Sequence, residues 1–428
     1  MNTAIRDKFS FSQLLFWFAL LALALFGLFY IYSSGYIGDD YPVRANWQRQ
    51  IVFLLLGAAL FQLFSNWDNQ SASWRYFVWL AYAGSLLGLV AVLFFGKEIG
   101  GARRWLQLGP LMLQPAEPAK IFTLLLLCQL MQPGQRGAGW RQAGLVCAVL
   151  LLPMLLIRLE PSLGNALMLL PPFLALICVN HCHSRLFAPL LTLALLVASL
   201  AVGALFWLRA QAPEKTSPFR QMLAQQEESG KTGLLRPYHL RRLDSYVSSQ
   251  GGWNERQSIM CVASGGLSGK GFRNGTLKSL GYLPRTVAPT DFIFSVIAEE
   301  GGFLYGSLPI LLLYALLVSV CLYWAANANS RLHANICLAF ATLIQAHVLI
   351  SIGMSIRLLP IVGLPLPLLS YGGSFTLCFL IAMGNVAATR SSKNAPDKKI
   401  QVKLGRIFML SLENTARENP QSPDPLQT

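Results

Sequence analysis

Apolar runs about as long as a bilayer is thick recur along this chain from one end almost to the other. A helix that crosses roughly 30 Å of hydrocarbon needs about 20 mostly apolar residues. Runs of that kind occupy approximately 14–34, 50–66, 74–96, 118–132, 142–158, 162–181, 186–208, 292–325, 334–356 and 373–390. The fourth and fifth are short, and the eighth carries Glu299 and Glu300 near its start. The first follows basic residues as a signal peptide would. Its apolar stretch is too long for a signal core and no small-residue cleavage site follows, so it reads as an uncleaved first helix. Composition agrees with this reading. Of the 428 residues 54% are hydrophobic and 12% charged, against about 25% charged in an ordinary soluble domain. A large soluble enzyme, a disordered chain and a collagen-like fibre are thereby poorly supported. The predicted fold class is an all-α polytopic membrane protein of about ten transmembrane helices. One large extracytoplasmic loop, about 209–291, joins helices 7 and 8. Residues 1–390 form the membrane domain and 391–428 a flexible cytoplasmic tail.

Charge sets the expected orientation. With ten helices both termini share a side, and Lys and Arg concentrate in the cytoplasmic loops of membrane proteins. A cytoplasmic N-terminus puts Arg6, Lys8, Arg75, Arg136, Arg141, Arg185, Arg331, Arg390, Lys393, Lys398, Lys399, Lys403, Arg406 and Arg417 inside, which is 14. The other side, leaving out 209–291, holds Arg44, Arg49, Lys97, Arg103, Arg104, Lys120, Arg158 and Arg357, which is 8. Both ends are therefore expected in the cytoplasm. The net charge of +15 would suggest nucleic acid in a soluble protein. Here the basic residues lie between apolar runs, so anionic lipid head groups or a phosphorylated lipid are the better partners, and nucleic acid is not expected.

The long loop is itself basic, with Lys215, Arg220, Lys231, Arg236, Arg241, Arg242, Arg256, Lys270, Arg273, Lys278 and Arg285. It reads either as a solvated surface touching lipid or as a surface that holds phosphate. Most of the cysteines fall inside apolar runs and read as small hydrophobes. His181-Cys182-His183 lacks further ligands nearby, and no all-protein metal cage is visible in the sequence.

Four segments on the expected outer side depart from ordinary membrane helix. Gly101-Ala102-Arg103-Arg104-Trp105 leads to Gln114-Pro115-Ala116-Glu117-Pro118-Ala119-Lys120, gathering two Arg, a Glu and a Lys beside a Trp. Glu160-Pro161-Ser162-Leu163-Gly164-Asn165-Ala166 puts a carboxylate before a helix. A third runs from Ser264-Gly265-Gly266 through Gly269-Lys270-Gly271 and Asn274-Gly275-Thr276 to Thr290-Asp291-Phe292. The fourth is Gly363-Leu364-Pro365-Leu366-Pro367 with Ser370-Tyr371-Gly372-Gly373-Ser374.

In these segments, by order and spacing, the chain resembles the SEDS family (shape, elongation, division and sporulation), the polytopic proteins that include RodA and FtsW. Gly269-Lys270-Gly271, Asn274-Gly275-Thr276 and Val296-Ile297-Ala298-Glu299-Glu300 are more similar to the RodA branch. The resemblance implies a ten-helix peptidoglycan glycosyltransferase of the bacterial cytoplasmic (inner) membrane. Such an enzyme polymerises lipid II during cell-wall elongation and rod-shape maintenance. A class B penicillin-binding protein, the transpeptidase, and other elongation-machinery proteins are the implied partners. The chain departs from the family's usual Gln-Pro-Asp-Leu-Gly-Thr-Ala at Glu160, Ser162 and Asn165: the usual acid is missing at Ser162, while Glu160 keeps a carboxylate two residues away. Ser351 replaces a frequent Asn.

The implied reaction is attack of a sugar hydroxyl on the anomeric carbon of a lipid-diphosphate sugar. A diphosphate leaves readily once its charge is offset, so one base and a positive surround suffice. A glycoside hydrolase, in contrast, usually needs two carboxyl groups. Asp291 stands where polar loop meets apolar run, and the resemblance places the family's essential acid there. The competing role for Asp291 is a helix N-cap. Arg104, Trp105, Glu117, Lys120, Lys270 and Arg285 are the candidate substrate-binding residues. A charge in mid-bilayer costs roughly 2.5–3.5 kcal/mol, so Arg104, Glu117 and Lys120 are expected to line a water-filled cavity. Snorkelling to the interface or a structural Glu117–Lys120 pair are the alternatives. Lys270 among glycines and Arg285 after Pro284 suit a diphosphate. Mg²⁺ or another divalent cation is compatible with one carboxylate and a diphosphate, and no organic cofactor is called for. Two other functions remain open on sequence: a flippase for the lipid-linked precursor, and a non-enzymatic scaffold for a transpeptidase.

Overall fold

The computed structural model describes residues 10–37, 41–42, 46–99, 102–109, 111–132, 140–160, 162–181, 203, 218–229, 237–248, 252–284, 287–391, 400–404 and 410–414. Its helices are α1 (Phe11–Ser34), α2 (Asn46–Ser65), α3 (Ala72–Phe95), α4 (Ala116–Leu130), α5 (Trp140–Leu159), α6 (Leu163–Leu167) and α7 (Leu170–His181). After these come α8 (Pro218–Ser229), α9 (Pro237–Val247), α10 (Trp253–Gly265), α11 (Thr276–Ser279) and α12 (Ile293–Gly301). A π-helical segment, Gly302–Ser307, then leads into α13 (Leu308–Ala326), followed by α14 (Arg331–Ser355) and α15 (Gly373–Ser391). Among the described residues, seven segments are long and apolar enough to cross a membrane. The chain is an all-helical polytopic membrane protein. The expected spans coincide with helix, except 186–208, which falls almost wholly outside the described residues.

Two expected spans are broken. The run 162–181 divides into α6 and α7 at Met168 and Leu169. Pro171 and Pro172 explain the division, because proline fits the first turn of α7 but would clash inside a continuous helix. The run 292–325 divides into α12 and α13. As one helix, its 34 residues from Ile293 to Ala326 would reach about 50 Å, well beyond the hydrocarbon. The chain instead breaks at Gly302, where φ is 65°, leaving α13 as the crossing helix. Glu299 and Glu300 thus end a short, separate helix.

Side-chain packing fixes the bundle. Helix α2 lies along α15, α13 along α14 and α3 along α4. At one end, Trp324 Nε1 donates to Ser12 Oγ (3.0 Å) and Trp74 Nε1 to Asn385 Oδ1 (3.0 Å). The opposite end collects the irregular segments. There β1 (Tyr36–Ile37) pairs antiparallel with β2 (Tyr41–Pro42), and β3 (Lys97–Ile99), β4 (Ala102–Leu108) and β5 (Leu111–Leu113) form an antiparallel sheet. Ser374 ties this sheet to α15: its Oγ donates to the Met112 carbonyl (3.0 Å) and accepts from the Gln114 N–H (3.2 Å). In the tail, β6 (Ile400–Leu404) pairs antiparallel with β7 (Leu410–Asn414). The remainder of the tail lies outside the described residues.

The 209–291 loop packs down onto this end. Tyr246 of α9 donates its hydroxyl to the Leu358 carbonyl (2.9 Å). Arg357 Nη2 donates to the Ser248 carbonyl (2.7 Å), and its Nε lies 3.5 Å from Glu255 Oε2 of α10. Ser258 Oγ donates to the Ser355 carbonyl (2.6 Å). The loop is thereby fastened to the α14–α15 connection by buried or half-buried polar groups, which cost free energy unless they are paired.

Candidate functional site

The approach to α12 is a tight series of turns. The N–H groups of Val287 and Ala288 both donate to the Pro284 carbonyl, and the N–H of Phe292 donates to the Val287 carbonyl. The connection before α15 holds these turns from the other side. Ser370 Oγ donates to the Thr290 carbonyl (2.6 Å) while accepting from the Leu366 N–H (2.8 Å), and the Tyr371 N–H donates to the Pro289 carbonyl (2.8 Å). Non-helical backbone at this depth needs protein around it. Leu364, Leu366, Leu368 and Leu369 are all buried and supply that surround.

Asp291 emerges partly exposed from this clamp. It is not the N-cap of α12: that residue is Phe292, which makes no side-chain capping bond. The carboxylate lies instead between cations. An ideal Cβ on Gly363 would stand 3.2 Å from Asp291 Oδ2 and 3.6 Å from Arg242 Nη2. Gly363 also has a φ of 74°, a conformation costly for any residue with a Cβ. Glycine is needed there both for the backbone and for the space. Arg242 is oriented by the same loop, since its Nη1 donates to the carbonyls of Ile361 (3.1 Å) and Val362 (2.7 Å). Burial raises the Asp291 pKa above the ordinary aspartate value, and the positive charges of Arg242 and then Arg104 oppose the rise.

Arg104 reaches the site from β4. Its Nε donates to the Glu160 carbonyl (3.2 Å). Glu160 is fully buried, and burial pushes its carboxyl up to about 8 against the pull of Arg104. The turn after Glu160 meets the Gly363 loop directly: a Cβ on Gly164 would overlap the Val362 side chain. The same turn leads inward to α4. Asn165 Nδ2 donates to Ser162 Oγ (3.0 Å), and Lys120 Nζ donates to Asn165 Oδ1 (2.9 Å). Lys120 also pairs with Glu117 Oε1 at 3.0 Å, both side chains being buried. A cavity of about 20 Å³ adjoins them, lined also by His347 and Phe375, with room for about one water.

The sequence-predicted residues therefore divide into groups. Asp291 and Arg104 come together. Glu117 and Lys120 form a buried pair connected to them through Asn165, Ser162 and the Glu160 turn. Trp105 is half-buried on β4, paired in register with Lys97. Lys270 belongs to a different cluster. Its Nζ lies 2.8 Å from Glu299 Oε1 and 2.6 Å from Thr276 Oγ1. Glu299 lies six residues beyond Ile293, the first residue of α12, about 9 Å along that helix. Beside it, Lys278 Nζ pairs with Glu300 Oε1 at 2.5 Å and donates to Ser33 Oγ at 2.8 Å. Arg285, Cys182 and His183 lie outside the described residues. Among the described residues, no group of three or more His, Cys, Asp or Glu side chains could hold a metal.

Sequence reasoning passed over Arg242, which it counted only as part of the basic loop. A signal was present. Arg242 and Tyr246 are four residues apart on α9, so they share a face, and both donate to backbone carbonyls of residues 358–362.

Comparison with known proteins identifies the family and the fold. The FtsW/RodA/SpoVE family model, described as a cell cycle protein, matches residues 13–395. The chain is 27% identical to the peptidoglycan glycosyltransferase RodA of Treponema pallidum, over 89% of this chain and 97% of that protein. It is 32% identical to the probable peptidoglycan glycosyltransferase FtsW of Coxiella burnetii, over 85% and 92%. Among solved structures, it is similar to a chain of a peptidoglycan synthase complex that coordinates polymerization and crosslinking. That match has a TM-score of 0.63 and 27% identity, covering 88% of this chain and 97% of that one.

Proposed function

Because the chain belongs to the FtsW/RodA/SpoVE family, we propose that it polymerises lipid II into glycan strands during cell-wall elongation, with Asp291 as the general base. Its enzyme class is peptidoglycan glycosyltransferase, the activity named for its relatives. The observation that carries the residue assignment is the placement of Asp291: partly exposed, not used as a cap, and influenced by both Arg242 and Arg104.

In the proposed reaction an acceptor sugar hydroxyl attacks the anomeric carbon of a lipid-diphosphate sugar. The new glycosidic C–O bond forms as the bond from that carbon to the diphosphate oxygen breaks. The hydroxyl proton passes to Asp291, and the electron pair of the broken bond leaves with the diphosphate. Burial strengthens Asp291 as a base. Arg242 and then Arg104 favour its ionised form against that rise, and their positive field offsets charge that grows on the leaving group. A divalent cation would fit here as counter-ion to the diphosphate, with Asp291 as the protein carboxylate that could share it.

The expected orientation, with both termini cytoplasmic, puts this end of the bundle at the outer face of the cytoplasmic membrane. Lipid-linked sugar would meet Asp291 there. A class B penicillin-binding protein is the proposed partner, consistent with the coupling of polymerization and crosslinking in the similar solved complex. Purified protein given lipid II in detergent separates the readings. Glycan strands support the polymerase. Lipid transfer across vesicles without polymer would favour a flippase, and neither activity would leave a scaffold.

A further inference from the structure

The turn beside the site holds a carboxyl group that the proposed reaction does not use. The Glu160 side chain is 0% exposed, and among the described residues neither of its carboxyl oxygens has a hydrogen-bond partner. A carboxylate with no donors around it is unfavourable in such a place, so the neutral acid is the favoured form. Its pKa of about 8 agrees with that placement.

Arg104 is the charge that acts on Glu160, and the charged groups of the site come from several elements. From β4 comes Arg104, whose Nε is held by the Glu160 carbonyl itself (3.2 Å). From the loop before α12 comes Asp291, which feels the same Arg104. From α9, Arg242 stands beside Asp291 and is engaged with the Ile361 and Val362 carbonyls. From α4, Lys120 is paired with Glu117 and hydrogen-bonded to Asn165. Arg158, two residues earlier at the end of α5, is exposed. Arg104 is thus the cation whose field reaches two carboxyl groups, one beside the proposed chemistry and one buried behind it.

We propose that Glu160 is a positioning residue for glycosyl transfer, leaving the charge of Arg104 to Asp291 and the leaving diphosphate while it is protonated and drawing that charge to itself once it ionises. On ionisation its proton passes to water, and an extra negative charge stands behind a site that must receive a diphosphate. The inference rests on the polymerase reading of Asp291.

Two measurements test it. The first is infrared difference spectroscopy of the intact protein between about pH 6 and about pH 9, which needs no substrate. A neutral-carboxyl band should disappear with a midpoint near 8 in the native protein and be missing in Glu160→Gln. The second is single-turnover polymerisation of lipid II. From about pH 6.5 to about pH 9 the native rate should fall by up to about tenfold, the fraction set by one ionisation. In Glu160→Gln the ratio of the two rates should return towards one. Glu160→Asp keeps an acid on a shorter stem and should keep the fall with a displaced midpoint, which covers poor folding of the Gln variant. A native protein without the titrating band, or the same descending limb in Glu160→Gln, overturns the proposal. A protein that shows the band but never polymerises lipid II overturns the polymerase reading and leaves the proton on Glu160 established.

Discussion

Asp291 Oδ2 and Arg242 Nη2 face the same side of Gly363, 3.2 Å and 3.6 Å from where a Cβ at that position would lie. Glycine at this position therefore leaves room for both the Asp291 carboxylate and its neighbouring cation. Gly363→Ala puts a methyl group against both and forces a left-handed conformation, a cost of roughly 1–2 kcal/mol. The expected outcome is a small loss of thermal stability with a larger loss of polymerisation rate. Equal rates in a folded Gly363→Ala protein would show that the spacing is unimportant.

Arg242 acts through two carbonyls as well as through its charge. Arg242→Lys retains the charge and loses the two-pronged grip on Ile361 and Val362, whereas Arg242→Met loses both. Hydrogen bonds from charged groups contribute about 1.5–3 kcal/mol each, so Arg242→Met should lower turnover by roughly ten- to a hundredfold. Arg242→Lys should fall between that variant and the native protein. Single-turnover rates beside lipid II binding measure the split, and an equal fall in binding alone would assign Arg242 to ground-state affinity.

Removing the opposing charge of Arg104 should move the titration of the base. The proposed mechanism uses Asp291 as carboxylate and so predicts activity rising with pH through its pKa, which burial places above the ordinary aspartate value of about 3.9. Arg104→Met should displace that ascending limb to higher pH. The linked stability has a definite sign: a carboxyl raised in the folded state binds more protons there than in the unfolded chain. Its contribution is therefore fully present below the unfolded pKa and is lost as pH rises through the folded one. Rate and thermal midpoint measured over the same pH series would check both, and an unmoved limb in Arg104→Met would remove Arg104 from the field at Asp291.

The pair Glu117–Lys120 calls for another kind of test, because both side chains are buried. Lys120→Met leaves Glu117 uncompensated, and breaking a buried pair costs about 3–5 kcal/mol. Expression and thermal stability should fall. Joint replacement, Glu117→Gln with Lys120→Met, should restore part of the stability. Restored stability without restored turnover would give the pair a role in chemistry, and restoration of both would leave it structural.

Much of this arrangement was legible in the sequence. Long apolar runs exposed the bundle because bilayer thickness sets their length. The four unusual segments pointed to one end because turns, prolines and charges are costly inside lipid. Two runs misled at their interiors: Pro171 and Pro172 divide one, and Gly302 divides the other, where hydropathy averages over the break. Asp291 could be singled out as a charge at a boundary, but its release from capping required knowing that Phe292 is the N-cap of α12. Lys270 illustrates the limit of motif reading. Its glycine-rich neighbourhood suits phosphate, yet its ammonium meets Glu299, a pairing set by tertiary packing between residues 29 positions apart. Arg242 was legible only in part: its four-residue spacing from Tyr246 marks a shared helix face, while its backbone-carbonyl partners leave no trace in residue identity.

The central claim is that Asp291 takes the proton from the attacking hydroxyl, and Asp291→Asn tests it most directly. The amide nearly preserves size and shape while removing the base. The measurement is single-turnover polymerisation of lipid II by purified native and Asp291→Asn protein, with detergent and divalent cation held the same and folding checked by thermal midpoint. The account predicts a rate lower by at least about a hundredfold, the scale of general-base loss, with lipid II still bound. Glycan synthesis at a near-native rate by folded Asp291→Asn protein would contradict it.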